Sequence, residues 1–184
     1  MKRETYQLIK TASPKLGTLI GILWILSFVG IANASLSPLY SMFGFGLGIG
    51  SLFCAAIMSY QFRWRVCKGN LSFGAQWMQV LFMLLYACIL MAMGVFIYMR
   101  FLDEGRFAMM YAEMMEVPEQ RAAMEQMLAN SGVTLEELVA SITNLKPINL
   151  AIQTMESNFL VSLLIAPLIT LAARIRNYRP SNEG

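Results

Sequence analysis

Residues 16–62 and 69–99 carry no charged side chain, runs of 47 and 31 positions. About 20 apolar helical residues cross the hydrocarbon of a bilayer, so the first run is long enough for two crossings and the second for one. Ser35-Leu36-Ser37-Pro38 divides the first run, because Pro38 lacks the N–H that a continuing helix needs. The pattern predicts spans at 16–34 and 39–60, then a third at 73–100 that Ser72 caps after the Gly69-Asn70 turn. A fourth is harder to bound. Only 17 uncharged residues separate Glu156 from Arg174, so a span at 152–173 must take Glu156 into the interface.

Between the third and fourth spans lies a polar insert, 101–148, with eight acids and three bases. Phe107, Met110, Tyr111 and Met114 recur at helical spacing and predict a helix over 106–116. Val117-Pro118 breaks and restarts it, since proline suits the first helical position, and Ser131-Gly132 ends the second helix near Asn130. Thr134 and Glu137 form a capping box for a third helix, 135–145, which stops at Lys146-Pro147. The prediction is an all-α polytopic membrane protein: a single membrane domain over 1–184 with four transmembrane helices and a short helical outer insert.

Composition agrees. The chain is 57% hydrophobic and 14% charged, with mean hydropathy +0.56, against about 25% charged for a soluble domain. Charge distribution sets the orientation. Ten Lys and Arg fall in the N-terminus, the second loop and the C-terminal tail, against Arg100, Arg106, Arg121 and Lys146 on the other side. The basic side is expected to be cytoplasmic, with both termini there, and an even number of spans gives the same parity. A competing reading takes Ala32-Asn33-Ala34 as a signal-peptidase site, although the preceding apolar stretch is long for a signal peptide.

The segment FGFGLGIGS, residues 43–51, places glycine at every second position. A dinucleotide fingerprint needs glycine at its first, third and sixth positions, and here the sixth is Ile49 or Ser51. On a helix, Gly44 and Gly48 share one face while Gly46, Gly50 and Cys54 lie nearly opposite. Two back-to-back small-residue stripes let neighbouring backbones approach on both sides, which predicts that the second helix is the packed centre of the bundle. Asn158, Ser162, Ala166 and Thr170 form a partner stripe on the fourth helix, and Gly17/Gly21 and Gly30/Ala34 offer others on the first.

Candidate chemistry is sparse. There is no histidine, and Cys54, Cys67 and Cys88 form no CxxC pair. Met110 and Met114 share a face on which Cu(I) is conceivable, but methionine also fills apolar gaps, and the expectation is no metal and no cofactor. Glu156 is the one ionisable residue at membrane depth. With Gln153, Asn158 and Arg100 it makes a candidate polar vestibule, the plain alternative being an interfacial carboxylate that meets headgroup water or pairs with Arg100. Tyr60, Trp64, Trp77, Tyr98 and Tyr178 are expected as interfacial anchors.

From KGNLSFGAQWMQV, residues 68–80, through the following apolar helix, the Met- and Glu-rich segment and the last hydrophobic helix, the chain resembles a bacterial family catalogued as domain of unknown function forty-one ninety-nine. The resemblance implies a four-helix inner-membrane protein and carries no functional residues to transfer. The sequence as a whole points to a non-enzymatic membrane protein acting through helix packing or protein contacts. Its expected partners are the lipid bilayer and a second copy or another membrane protein, with no nucleic acid. The alternative is a small transporter or channel built on Glu156.

Overall fold

The computed structural model describes residues 3–128, 132–143 and 146–175, and everything described in it is helix or short connection. Helix α1 spans Arg3–Ala32, and α2 spans Pro38–Gln61 and continues into a π-helical turn, Phe62–Val66. Helix α3 spans Phe73–Phe101. Three short helices follow, α4 (Arg106–Glu116), α5 (Pro118–Leu128) and α6 (Leu135–Thr143), before α7 (Pro147–Ile175). By length and composition α1, α2, α3 and α7 are each able to cross a membrane, so the fold is all-α and polytopic.

Local chemistry sets the helix ends. Ser37 caps α2, accepting from the Leu39 N–H at 3.4 Å with proline at the first helical position, and Ser72 caps α3 by accepting from Ala75 N–H at 3.3 Å. The capping box of α6 is reciprocal: Thr134 N–H donates to Glu137 Oε2 at 2.9 Å, and Glu137 N–H to Thr134 Oγ1 at 3.3 Å. Those bonds hold the Glu137 carboxyl below the usual glutamate range. Two membrane helices overrun their predicted spans. Helix α1 starts at Arg3, because Ile9 and Ser13 in the basic lead-in are buried, Ile9 packing with Phe62, Leu71 and Ala75. Helix α7 starts at Pro147, a residue suited to the first turn.

The centre of the bundle is α3, which packs along α1 on one side and α7 on the other. Ile20, Trp24, Met83, Leu84, Ala87, Cys88 and Ala166 make the core. This corrects the expectation that α2 is central: 39% of the apolar stretch of α3 is buried but only 17% of that of α2. The reason lies between the glycines. Phe43, Phe45, Ile49 and Phe53 are all exposed, leaving α2 packed mainly along its seam with α1, more lightly along α7, with a wide surface uncovered by the described residues.

That seam uses one of the two stripes. A Cβ on Gly44 would lie 2.7 Å from the Ser27 carbonyl oxygen, and one on Gly30 would lie 3.0 Å from Gly44 Cα, so α1 and α2 meet backbone to backbone. Ser27 Oγ donates to the Gly44 carbonyl at 2.7 Å, and Trp24 Nε1 donates to Ser51 Oγ at 2.8 Å. A Cβ on Gly46 or Gly50 would meet nothing within 4 Å among the described residues. Gly17 and Gly21 serve another seam, against Met83 and Leu90 of α3. On α7, Ser162, Ala166 and Thr170 are buried, but mainly against α3 rather than α2. Cys88 Sγ lies 3.9 Å from Ser162 Oγ, and Asn158 Nδ2 donates to Met91 Sδ at 3.2 Å.

Candidate functional site

The fold gathers opposite charge at its two ends. At one end the start of α1, the π-helical turn and the end of α7 bring together Lys10, Lys15, Arg63, Arg65, Lys68 and Arg174. At the other stand the ends of α1 and α3 and the acidic insert. We call these the basic end and, after the expected orientation, the outer end.

The outer end is organised by Asn33. This residue follows the last turn of α1 and is buried, and its amide has a defined partner at each end. Nδ2 donates to Val29 O at 2.7 Å and to Tyr98 Oη at 2.8 Å, while Oδ1 accepts from Arg106 Nη1 at 3.2 Å. Arg106 also pairs with Glu104 at 3.2 Å. Asp103, 5% exposed, accepts from the Phe107 N–H at 3.0 Å and so begins α4. Phe28 packs edge-on against Tyr98 and tilted against Phe107, which in turn meets Tyr111. Helix α4 is thereby tied to α1 and α3 through hydrogen bonds and rings together. Tyr98 accordingly faces the bundle and not the headgroups, correcting its expected role as an interfacial anchor. Trp77 remains exposed, and Tyr178 lies outside the described residues.

Beneath α4 and α5 opens a cleft of about 560 Å³, with Ile31, Ser35 and Phe45 on the bundle side and Tyr111, Gln120 and Met124 on the insert side. Its lining is apolar with a few hydroxyl and amide groups and the Glu113 carboxylate. Helix α5 forms the far side and has no buried residue of its own.

The clefts at the basic end, between α2 and α7 and beneath the insert are lined by none of the vestibule residues Arg100, Gln153, Glu156 and Asn158. Gln153 and Glu156 are exposed on α7, and Arg100 is exposed with its guanidinium 6.0 Å from the Phe101 ring centroid. Asn158 instead turns inward, donating to Thr154 O and Met91 Sδ. Among the described residues Glu156 has no ion pair with Arg100; the pairs formed are Arg106–Glu104 and Arg121–Glu125. The side chains of Met110 and Met114 lie outside what the structure describes. No group of three or more His, Cys, Asp or Glu that could hold a metal ion occurs among the described residues. Burial pushes the Cys67 thiol up, which disfavours the nucleophilic thiolate.

The basic end holds a second polar network that sequence reasoning missed. Gln76 is fully buried; its Nε2 donates to Ser59 Oγ at 3.2 Å and its Oε1 accepts from Arg174 Nε at 3.1 Å. Arg174 also donates to the Leu71 carbonyl and lies over the Phe73 ring at 5.7 Å. One amide thus joins α2, α3 and α7. The legible signal is Gln76 and Gln79, two amides three residues apart in an otherwise apolar run. For Asn33 the sequence signal is ambiguous, because a lone Asn beside small residues reads equally as a turn or a cleavage motif.

If Asn33 holds the insert to the bundle, Asn33→Leu should leave the four spans folded and loosen α4. We expect amide exchange over 106–116 to rise about tenfold to a hundredfold, the loss of one hydrogen bond to a charged group being worth about 1.5–3 kcal/mol. Unchanged protection there would show that the aromatic contacts of Phe28 and Phe107 suffice.

No curated protein and no solved structure matches the chain. A family model described as "Protein of unknown function (DUF4199)" does match, over residues 15–175, which takes in the later part of α1, the other three long helices and the insert. On that match, the chain belongs to the DUF4199 family of proteins of unknown function.

Proposed function

We propose that this protein works by contact and not by catalysis, presenting its outer insert to a membrane-protein partner or a second copy in a bacterial inner membrane, with both termini cytoplasmic. One observation carries the reading. Helix α4 is fastened to the bundle by Asn33 and Phe28, whereas α5 beyond it has no buried residue and leaves Met127 81% exposed, with Val117 at its start 41% exposed. A largely polar helix that leaves Met127 and Val117 exposed beside a fixed base suits a docking element, since isolated exposed methionines repack readily against a partner. The orientation rests on the excess of Lys and Arg at the basic end. The absence of histidine from the chain supports the non-catalytic part, because the commonest acid–base group is missing.

Native mass of the full chain, purified from its own membranes with and without crosslinking, tests this. The expected result is a complex heavier than the 20.6 kDa protomer that the pair V117D/M127D dissociates while the four spans stay folded. A lone protomer under all conditions would sink the reading. So would solute flux in proteoliposomes that Glu156→Gln abolishes, since that outcome belongs to a transporter.

A further inference from the structure

At the basic end, α1 and the π-helical turn of α2 enclose an apolar groove of about 210 Å³. Leu16, Met58 and the buried Phe62 supply its apolar wall, while Lys15, Gln61 and Arg65 are exposed beside them. The arrangement follows from helical spacing: Met58, Phe62 and Arg65 recur every three or four residues on α2, and Ala12, Lys15 and Leu16 share a face of α1. Two cations thus belong to one groove.

Depth and charge identify what fits. Lys15 is the last charged residue before the neutral run 16–62, and Arg63 is the first after it, so the groove lies where hydrocarbon gives way to headgroups. Among the described residues no acid lines it, and Lys15 and Arg65 take part in no ion pair. The geometry points to a binding site for an anionic phospholipid, its phosphate between Lys15 and Arg65 and one acyl chain along Leu16, Met58 and Phe62. A zwitterionic lipid brings its own ammonium and gains less from two cations. A free phosphate leaves the apolar wall unused. The site lies at the opposite end from the proposed contact surface and stands independently of that reading.

The test is lipid retention by the full chain, read by native mass spectrometry after adding phosphatidylglycerol or phosphatidylcholine with the same acyl chains. Wild type should retain phosphatidylglycerol about tenfold better or more, in line with the usual gain per basic residue at a membrane surface. K15Q/R65Q should lose that preference, and each single change part of it. R121Q/K146Q, which removes the same charge at the outer end, should keep it. Equal retention of the two lipids by wild type would overturn the proposal, as would full preference in K15Q/R65Q. It would also fail if glycerophosphoglycerol, with the headgroup but no chains, competed as well as the lipid.

Discussion

Replacing Gly44 by leucine should destabilise the bundle by about 1–3 kcal/mol or more, the usual cost of overpacking, while the same change at Gly46 should alter it by less than about 0.5 kcal/mol. Only Phe45 separates the sites, and their sequence surroundings are nearly the same. The difference lies in what each faces. A side chain at Gly44 starts 2.7 Å from the Ser27 carbonyl oxygen and 2.9 Å from Ile31 N, backbone atoms that cannot rotate aside. To admit it, α1 and α2 must separate along the seam, straining the Ser27–Gly44 and Trp24–Ser51 hydrogen bonds as well. A side chain at Gly46 enters open space, where lipid replaces lipid and no protein contact is lost. Unfolding in mixed micelles, titrated with SDS, measures both variants against wild type. Equal losses at the two sites would mean that the Gly46/Gly50 face is covered by another chain, and the native mass would then have to fall in the Gly46 variant.

Gln76→Leu is expected to cost about 2–4 kcal/mol in the same assay, because it strands a charged donor and a buried hydroxyl together. The leucine fills similar space, so packing contributes little. The loss comes from Arg174 Nε, which has Gln76 Oε1 at 3.1 Å, and from Ser59 Oγ at 3.2 Å from the amide nitrogen. Arg174 keeps its bond to the Leu71 carbonyl, and for that reason the helix should not detach altogether. The pair Q76L/R174L should lose less than the two single variants together, with a coupling of about 1–3 kcal/mol in the double-mutant cycle. Additive losses would mean that the two side chains act separately and that Gln76 matters only through Ser59.

Much of the architecture is legible by elementary means. Charge-free runs, Ser72 before the third helix, the Thr134/Glu137 box and proline at 38, 118 and 147 delimit helices through properties local to a few residues. The partners of those helices are a different matter. Gly44 and Gly46 look alike in the sequence because a glycine records that a neighbour is allowed near it, not that one is present. Asn33 sits in a stretch that also reads as a cleavage motif, and only the return of α3 brings Tyr98 beside it and Arg106 after it. Glu156 had the strongest claim as an intramembrane charge, yet it is exposed, while Asn158 two residues on turns toward Met91.

By itself, then, the sequence determined four membrane-length helices, a short helical acidic insert and the placing of basic charge at one end, because hydrophobicity, helix caps and charge act within a turn or two of the chain. The tertiary structure alone decided that α3 and not α2 is central, that one glycine stripe is packed and the other bare, and that Asn33 and Gln76 are the polar joints. In a bilayer apolar side chains gain little by leaving lipid for one another, so helix pairing is settled by close backbone approach and by hydrogen bonds between residues 65 and 98 positions apart.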